Sequence, residues 1–312
     1  MAEFTEFHFE SSTGVNSIRA IKCIPNITPK AIVQIAHGVA DHIDRYRDFM
    51  AYLAQNGFLV VGNDHLGHGH TIRHYNEQGF FAYKNGWEHA VNDIEKLRII
   101  TKSEYPNLPY IFFGHSMGSF LIRTYIIKHP DTYDAAIISG TGHMPKAMIK
   151  SGHALANTIV KIKGPKHISK LIDNIAFGSY NKSFSPTRTN FDWISSDEEQ
   201  VDRYVADPLC GFIATASLFS DLMSGLSFIT KQENINKMNK SKPVCFISGA
   251  DDPVGEKGKG VERAYRAFCD AGLSDVYMKL YPGGRHEMLN EVNRSEVYKD
   301  ICCWINSKIK KA

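Results

Sequence analysis

Apolar and polar positions change period several times along the first 140 residues, and each change predicts an element. Phe4–Phe9 and Ser17–Ile24 interleave apolar and polar side chains and predict two edge strands separated by a turn at Thr13-Gly14. Ala31–Ala36 and Phe58–Asn63 are nearly all apolar, the pattern of strands covered on both faces. Between them, Tyr46–Asn56 carries apolar residues at helical spacing and stops at Gly57, a residue suited to the position after a helix. A longer helix is predicted from about Glu88 to Lys102. It is followed by strand Tyr110–Phe113, helix Ser119–His129 and strand Ala135–Ser139. Strands alternating with helices in this way predict a mostly parallel sheet wrapped by helices.

After Ser139 the rhythm changes. From about Thr141 to Thr230 no comparable strand run appears, only helix-like pieces broken at Gly164-Pro165, Ser185-Pro186 and Asp207-Pro208. Alternation resumes with Pro243–Ser248, Val261–Ala271, Val276–Tyr281 and Arg294–Ile309. The chain therefore reads as an α/β core of eight strands (residues 1–140 and 231–312) interrupted by a helical insertion (141–230).

Composition narrows the classes. With 43% hydrophobic residues in 312, the chain can bury a large core without metal or disulfide. A net charge of +3 is mild, and the basic residues lack interleaved aromatic platforms, so no nucleic-acid partner is expected. The opening MAEFTEFHFESS lacks the basic-then-apolar pattern of a leader, and no apolar run approaches the roughly 18 residues that span a bilayer. Six cysteines (Cys23, Cys210, Cys245, Cys269, Cys302, Cys303) form no CxxC pair and read as free, buried thiols of a reducing compartment. A soluble cytoplasmic protein is expected.

Candidate chemistry centres on Gly114-His115-Ser116-Met117-Gly118, a GxSxG between an apolar strand and a helix. Such a turn lifts the serine hydroxyl above the sheet, and its glycines relieve close backbone approaches. The following helix aims free N–H groups at any anion formed there. The pentapeptide alone also fits an ordinary strand-to-helix turn; the flanking elements favour a nucleophile. A serine needs a histidine to take its proton and a carboxylate to orient that histidine. Strand Pro243–Ser248 runs into Asp251 and Asp252, and strand Val276–Tyr281 runs into a glycine turn and His286. Asp252, three residues after Gly249, is preferred over Asp251 as the acid. The oxyanion needs two N–H donors, and Met117 and Val39 are the candidates. The histidines of Asp64-His65-Leu66-Gly67-His68-Gly69-His70 invite a zinc reading. A glycine-shaped loop at the mouth of the site is the plainer account, and neither metal nor cofactor is expected.

Together HGVADHIDRY, NDHLGHGH, GHSMGS, SGADDPVG and GGRHEMLNE resemble the monoacylglycerol lipase and lysophospholipase branch of the α/β-hydrolases, from about His37 to the C-terminus. The resemblance implies an α/β-hydrolase fold, with Ser116 as nucleophile, His286 as base, Asp252 as acid, and Val39 and Met117 as oxyanion donors. It also implies that the insertion is a lid over an acyl pocket. One departure stands out: the first loop in that family often reads HG-small-Gly-Glu-His, whereas this chain has Val39, Ala40, Asp41 and His42.

The insertion itself carries Lys146, Lys150, Lys161, Lys163, Lys166 and Lys170 with no acid between Thr141 and Lys170, among interspersed apolar residues. Such a segment suits a solvated helix face and also transient contact with a membrane surface. Tyr180, Phe191 and Trp193 are candidates to line the substrate pocket. A single-chain lipid ester is the expected substrate. A peptidase or thioesterase with the same residues is a second reading, and a catalytically silent ligand-binding protein a third.

Overall fold

The computed structural model describes residues 3–309, so residues 1–2 and 310–312 of the expected core lie outside the described part. In chain order the core begins with β1 (Glu3–Glu10), β2 (Ser17–Ile24), β3 (Ala31–Ala36), α1 (Arg47–Gln55), β4 (Phe58–Asn63) and α2 (Gly86–Glu104). It continues through β5 (Tyr110–His115), α3 (Met117–Lys128) and β6 (Ala135–Ser139). Five helices follow before the next strand: α4 (Lys146–Lys163), α5 (Lys170–Phe177), α6 (Glu198–Ala206), α7 (Ala216–Ile229) and the short α8 (Gln232–Ile235). The chain ends with β7 (Val244–Gly249), α9 (Lys259–Asp270), β8 (Val276–Tyr281) and α10 (Arg294–Lys308).

The strands form one sheet of eight in the order β1-β2-β4-β3-β5-β6-β7-β8. β2 runs antiparallel to both β1 and β4, and all other pairs are parallel. The sequence reading of two edge strands is corrected here. Of the two, β1 alone lies at a sheet edge; β2 is hydrogen-bonded on both sides and buried from Ile18 to Cys23. Its interleaved polar residues misled because they are paired: Arg19 reaches Asp44 and Asp64, and Lys22 reaches Glu104.

Successive residues of each central strand feed opposite cores, as the two-residue period of a strand requires. Ile32, Phe112 and Ile138 pack under α2 and α3, whereas Val33, Phe113 and Ile137 pack under α1 and α10. α7 joins the first of these cores, and its Gly225 lies against the Trp87 ring, where any Cβ would collide with it. Four cysteines are buried as expected, but Cys269 and Cys303 sit on exposed positions of α9 and α10; all six are free. Among the described residues no helix is long and apolar enough to cross a membrane.

Candidate active site

The strand ends after β3, β5, β7 and β8 deliver the four loops named by the sequence to one cavity of about 1210 Å³. Ser116 stands between β5 and α3 with φ +52° and ψ −121°, a region that costs a non-glycine residue roughly 1–3 kcal/mol. Its N–H donates to Ser139 O at 3.0 Å, and its own carbonyl accepts Ser119 Oγ at 2.6 Å. The glycines of the turn are sterically required. A Cβ on Gly114 would lie 2.5 Å from Gly118 O, and one on Gly118 would collide with the carbonyl oxygen of Ala36.

Asp252 and His286 meet as partners. His286 Nδ1 lies 3.1 Å from each Asp252 oxygen, and the carboxylate also accepts Ser248 Oγ at 3.0 Å and the Val254 N–H at 2.9 Å. Both residues are buried, while Asp251 is half-exposed and holds Gly284 O only through its backbone N–H. Burial alone would depress the His286 imidazolium, but the Asp252 charge and hydrogen bond outweigh it and hold the pKa above the usual value. Burial likewise works against the Asp252 anion, and His286 offsets it, leaving that carboxyl below its usual range. His115, 4.7 Å from His286 between ring centres, is driven down to about 4 by burial and by His286, so it is neutral. Ser116 and His286 line the same cavity.

Val39 and Met117 line it too. Met117 opens α3, where the first N–H groups have no intrahelical acceptor. Ala40, standing where the resembled family favours glycine, takes φ +52°. Its carbonyl accepts Gly211 N and Tyr204 Oη, both at 3.0 Å, so contacts from the insertion hold the strained position.

Tyr180, Phe191 and Trp193 all line the cavity. Trp193 sits 5.1 Å from the His286 ring and 5.0 Å from Tyr180, while Phe191 packs on Tyr204 at 5.1 Å. The backbone of the same stretch is fastened to the histidine turn: the Glu287 N–H donates to Ile194 O at 2.7 Å, and Arg285 donates to Asp192 O and Ser195 O.

The histidine-rich loop has a different use. His37, His65 and His68 are buried rings packed on one another, with His37 and His65 centred 4.2 Å apart. Burial drives His65 to about 3 and His68 to about 4, so they are neutral. Asp64 is committed to Arg19 and to the N–H groups of Ile43 and His70, which shapes the loop. Metal-type donors of His42, Asp207 and Cys210 lie within 4.8 Å of one another. There, however, His42 Nε2 is hydrogen-bonded to Asp207 at 2.8 Å, and burial raises the Cys210 thiol.

The sequence reading gave no role to Arg45, Glu287 or Ser248. Arg45 forks onto Glu287 at 2.8 and 2.6 Å and reaches Asp41 at 2.9 Å. No local signal marks them: Asp41 precedes the helical turn Ile43–Tyr46 that carries Arg45, and Glu287 lies 242 residues from Arg45.

A strained serine on the turn after a central parallel strand, beneath loops carrying an Asp-bound histidine, defines an α/β-hydrolase. The chain belongs to the serine aminopeptidase, S33, family, whose model matches residues 27–293. It is similar to the monoacylglycerol lipase of Mycolicibacterium smegmatis, 27% identical with 96% of this chain and 97% of that one covered. It is also similar to the monoglyceride lipase of Homo sapiens, 26% identical over 92% of this chain and 86% of that one. Among solved structures, a thermostable carboxyl esterase from Bacillus coagulans in complex with glycerol superposes with a TM-score of 0.92. It is 30% identical, with 99% of this chain and 100% of that one covered. The chain is thus an α/β-hydrolase of the esterase and lipase kind.

Proposed function

We propose that the protein hydrolyses carboxylic esters of single-chain lipids, of the monoacylglycerol or lysophospholipid type, through an acyl-enzyme. The observation that carries this reading is Ser116 together with the Asp252–His286 pair at a 1210 Å³ cavity walled by Met148, Leu155, Phe177, Phe219, Leu222 and Leu226. In the proposed reaction His286 takes the Ser116 proton, and the serine oxygen attacks the ester carbonyl. Asp252 keeps the imidazole oriented and stabilises the imidazolium. The N–H groups of Val39 and Met117 hold the oxyanion, together worth several kcal/mol in the transition state. His286 then protonates the departing alcohol, and a water deprotonated by the same histidine releases the fatty acid. The lipase and esterase names of the similar proteins agree with this reading.

The insertion 141–230 acts in this reading as the cap over the acyl pocket. Exposed Met148, Ile162, Ile168, Leu171 and Ile175 share α4, α5 and their connection with exposed Lys146, Lys150, Lys161, Lys163 and Lys170. A surface both basic and apolar suits brief docking on anionic lipid.

The test is fluorophosphonate labelling of wild type beside Ser116→Ala, followed by p-nitrophenyl esters of increasing chain length. Labelling lost in the variant and turnover peaking at medium or long chains support the reading. An unlabelled, folded wild type overturns it. Turnover of aminoacyl-anilides in preference to esters would favour the peptidase reading that the family description carries.

A further inference from the structure

Three charged side chains are buried beside the site without taking part in the proposed chemistry: Asp41, Arg45 and Glu287. Their side chains are only 4%, 12% and 7% exposed. Buried ion clusters contribute little net stability, because removing three charges from water costs about what their attraction returns. A role in geometry accounts for them better, and their neighbours show which geometry. Glu287 follows His286 directly in the chain. Asp41 accepts the Gly38 N–H at 3.2 Å, the His42 N–H at 2.8 Å and Tyr46 Oη at 2.9 Å, so it shapes the loop that carries Val39. Arg45 joins the two carboxylates, and its guanidinium lies 4.7 Å from the ring centre of Tyr204, whose hydroxyl donates to Ala40 O. A planar fork bonded at both tines fixes angle as well as distance, which an ammonium cannot do.

We propose that Arg45 is a positioning residue. Through Glu287 and Asp41 it locks the histidine turn and the Val39 loop into one unit, registered against the insertion at Tyr204. The proposal rests on the ester-hydrolase reading for its kinetic test, though not for its structural one. Burial would push the Asp41 and Glu287 carboxyls up; Arg45 outweighs it and keeps both ionised. The charged and titratable groups facing His286 are Asp252, Asp41, Glu287 and His115, with Tyr180 and Glu256 further along the cavity wall.

Two variants separate the contributions. Arg45→Lys keeps the charge and loses the fork; Glu287→Gln keeps the shape and loses the charge. Active serines are counted by fluorophosphonate titration, so that kcat refers to folded sites, and Arg266→Ala of a surface pair serves as control. Both variants are expected to lose about 10- to 100-fold in kcat per active serine, with KM within about threefold. Glu287→Gln alone is expected to move the acid limb of the pH profile to lower pH, since it removes a negative neighbour of His286. Unchanged kcat per serine and an unmoved limb, with only a lowered melting temperature, overturn the proposal. Should Glu287→Gln fail to fold, Asp41→Asn reads the same lock from the other loop. A wild type inert to the fluorophosphonate defeats the ester-hydrolase reading instead. The lock is then judged by histidine NMR: an identical His286 imidazole titration in wild type and both variants overturns it, and a shifted one supports it.

Discussion

Gly118 leaves no space for a side chain, because a Cβ there would be driven into the carbonyl oxygen of Ala36. β3 and the start of α3 therefore pass each other backbone to backbone, directly beside Ser116 and the Val39 loop. Gly118→Ala must push these segments apart. It is expected to destabilise the fold by about 1–3 kcal/mol, the range for overpacking. Fluorophosphonate labelling should fall more than 100-fold even at temperatures where the variant remains folded. A labelling rate equal to that of wild type would show that the turn relaxes without cost.

The two acids of the β7 loop should separate sharply. Asp252 touches His286 with both oxygens, and Asp251 does not touch it. Asp252→Asn is expected to lower kcat by about 10⁴, the scale for losing the orienting carboxylate. Asp251→Asn should stay within about threefold. Ester turnover under saturating substrate reads both, and comparable losses would reassign the acid.

The pH dependence of ester hydrolysis follows from the same pair. His286 must be neutral to take a proton, and Asp252 outweighs burial to hold the imidazolium above its usual pKa. Activity should therefore fall as pH drops through a limb lying above about 6.5, the value of a free imidazole. Measured as kcat/KM across pH 5 to 9, a limb below that value contradicts the environment described for the ring.

Asp221 of α7 makes a prediction about stability. Burial raises its carboxyl to about 7, against the backbone N–H groups of Trp87 and Gly86 at the start of α2. An acid with a raised native pKa binds its proton more tightly when folded, so its stabilising effect is complete below about 4. That effect is lost as pH rises from about 4 to about 7. Urea denaturation should show wild type losing on the order of 4 kcal/mol across that window relative to Asp221→Asn. Parallel pH profiles for the two proteins would reject the assignment.

Much of the core was legible because its signals are local. Nearly all-apolar six-residue runs such as Ala31–Ala36 become strands buried on both faces, and Gly57 ends α1 with φ +83°. The Ser116 turn was legible because sterics dictate its glycines. The edge expectation for β2 fails because Asp44 and Asp64, which neutralise Arg19 inside the fold, and Glu104, which pairs Lys22, lie 25, 45 and 82 residues away, where no sequence period reaches. Arg45 and Glu287 stayed silent for the same reason: they are 242 residues apart, and neither alone signals burial. The histidine-rich loop invites zinc by residue type alone, and a glycine-shaped loop is the plainer reading; His65 and His68 pack their rings on His37.

The backbone bond from the Glu287 N–H to Ile194 O, with the Arg285 bonds to Asp192 O and Ser195 O, fastens the middle of the insertion to the turn that carries His286. The insertion thus cannot swing aside as one piece without dragging that histidine away from Asp252. Under the proposed lipid-ester reading, admission of an acyl chain would fall to the half of the insertion lying before Asp192, which carries α4 and α5. On that proposal the stretch around Trp193 belongs with the catalytic frame rather than with the doorway, although one continuous insertion supplies both.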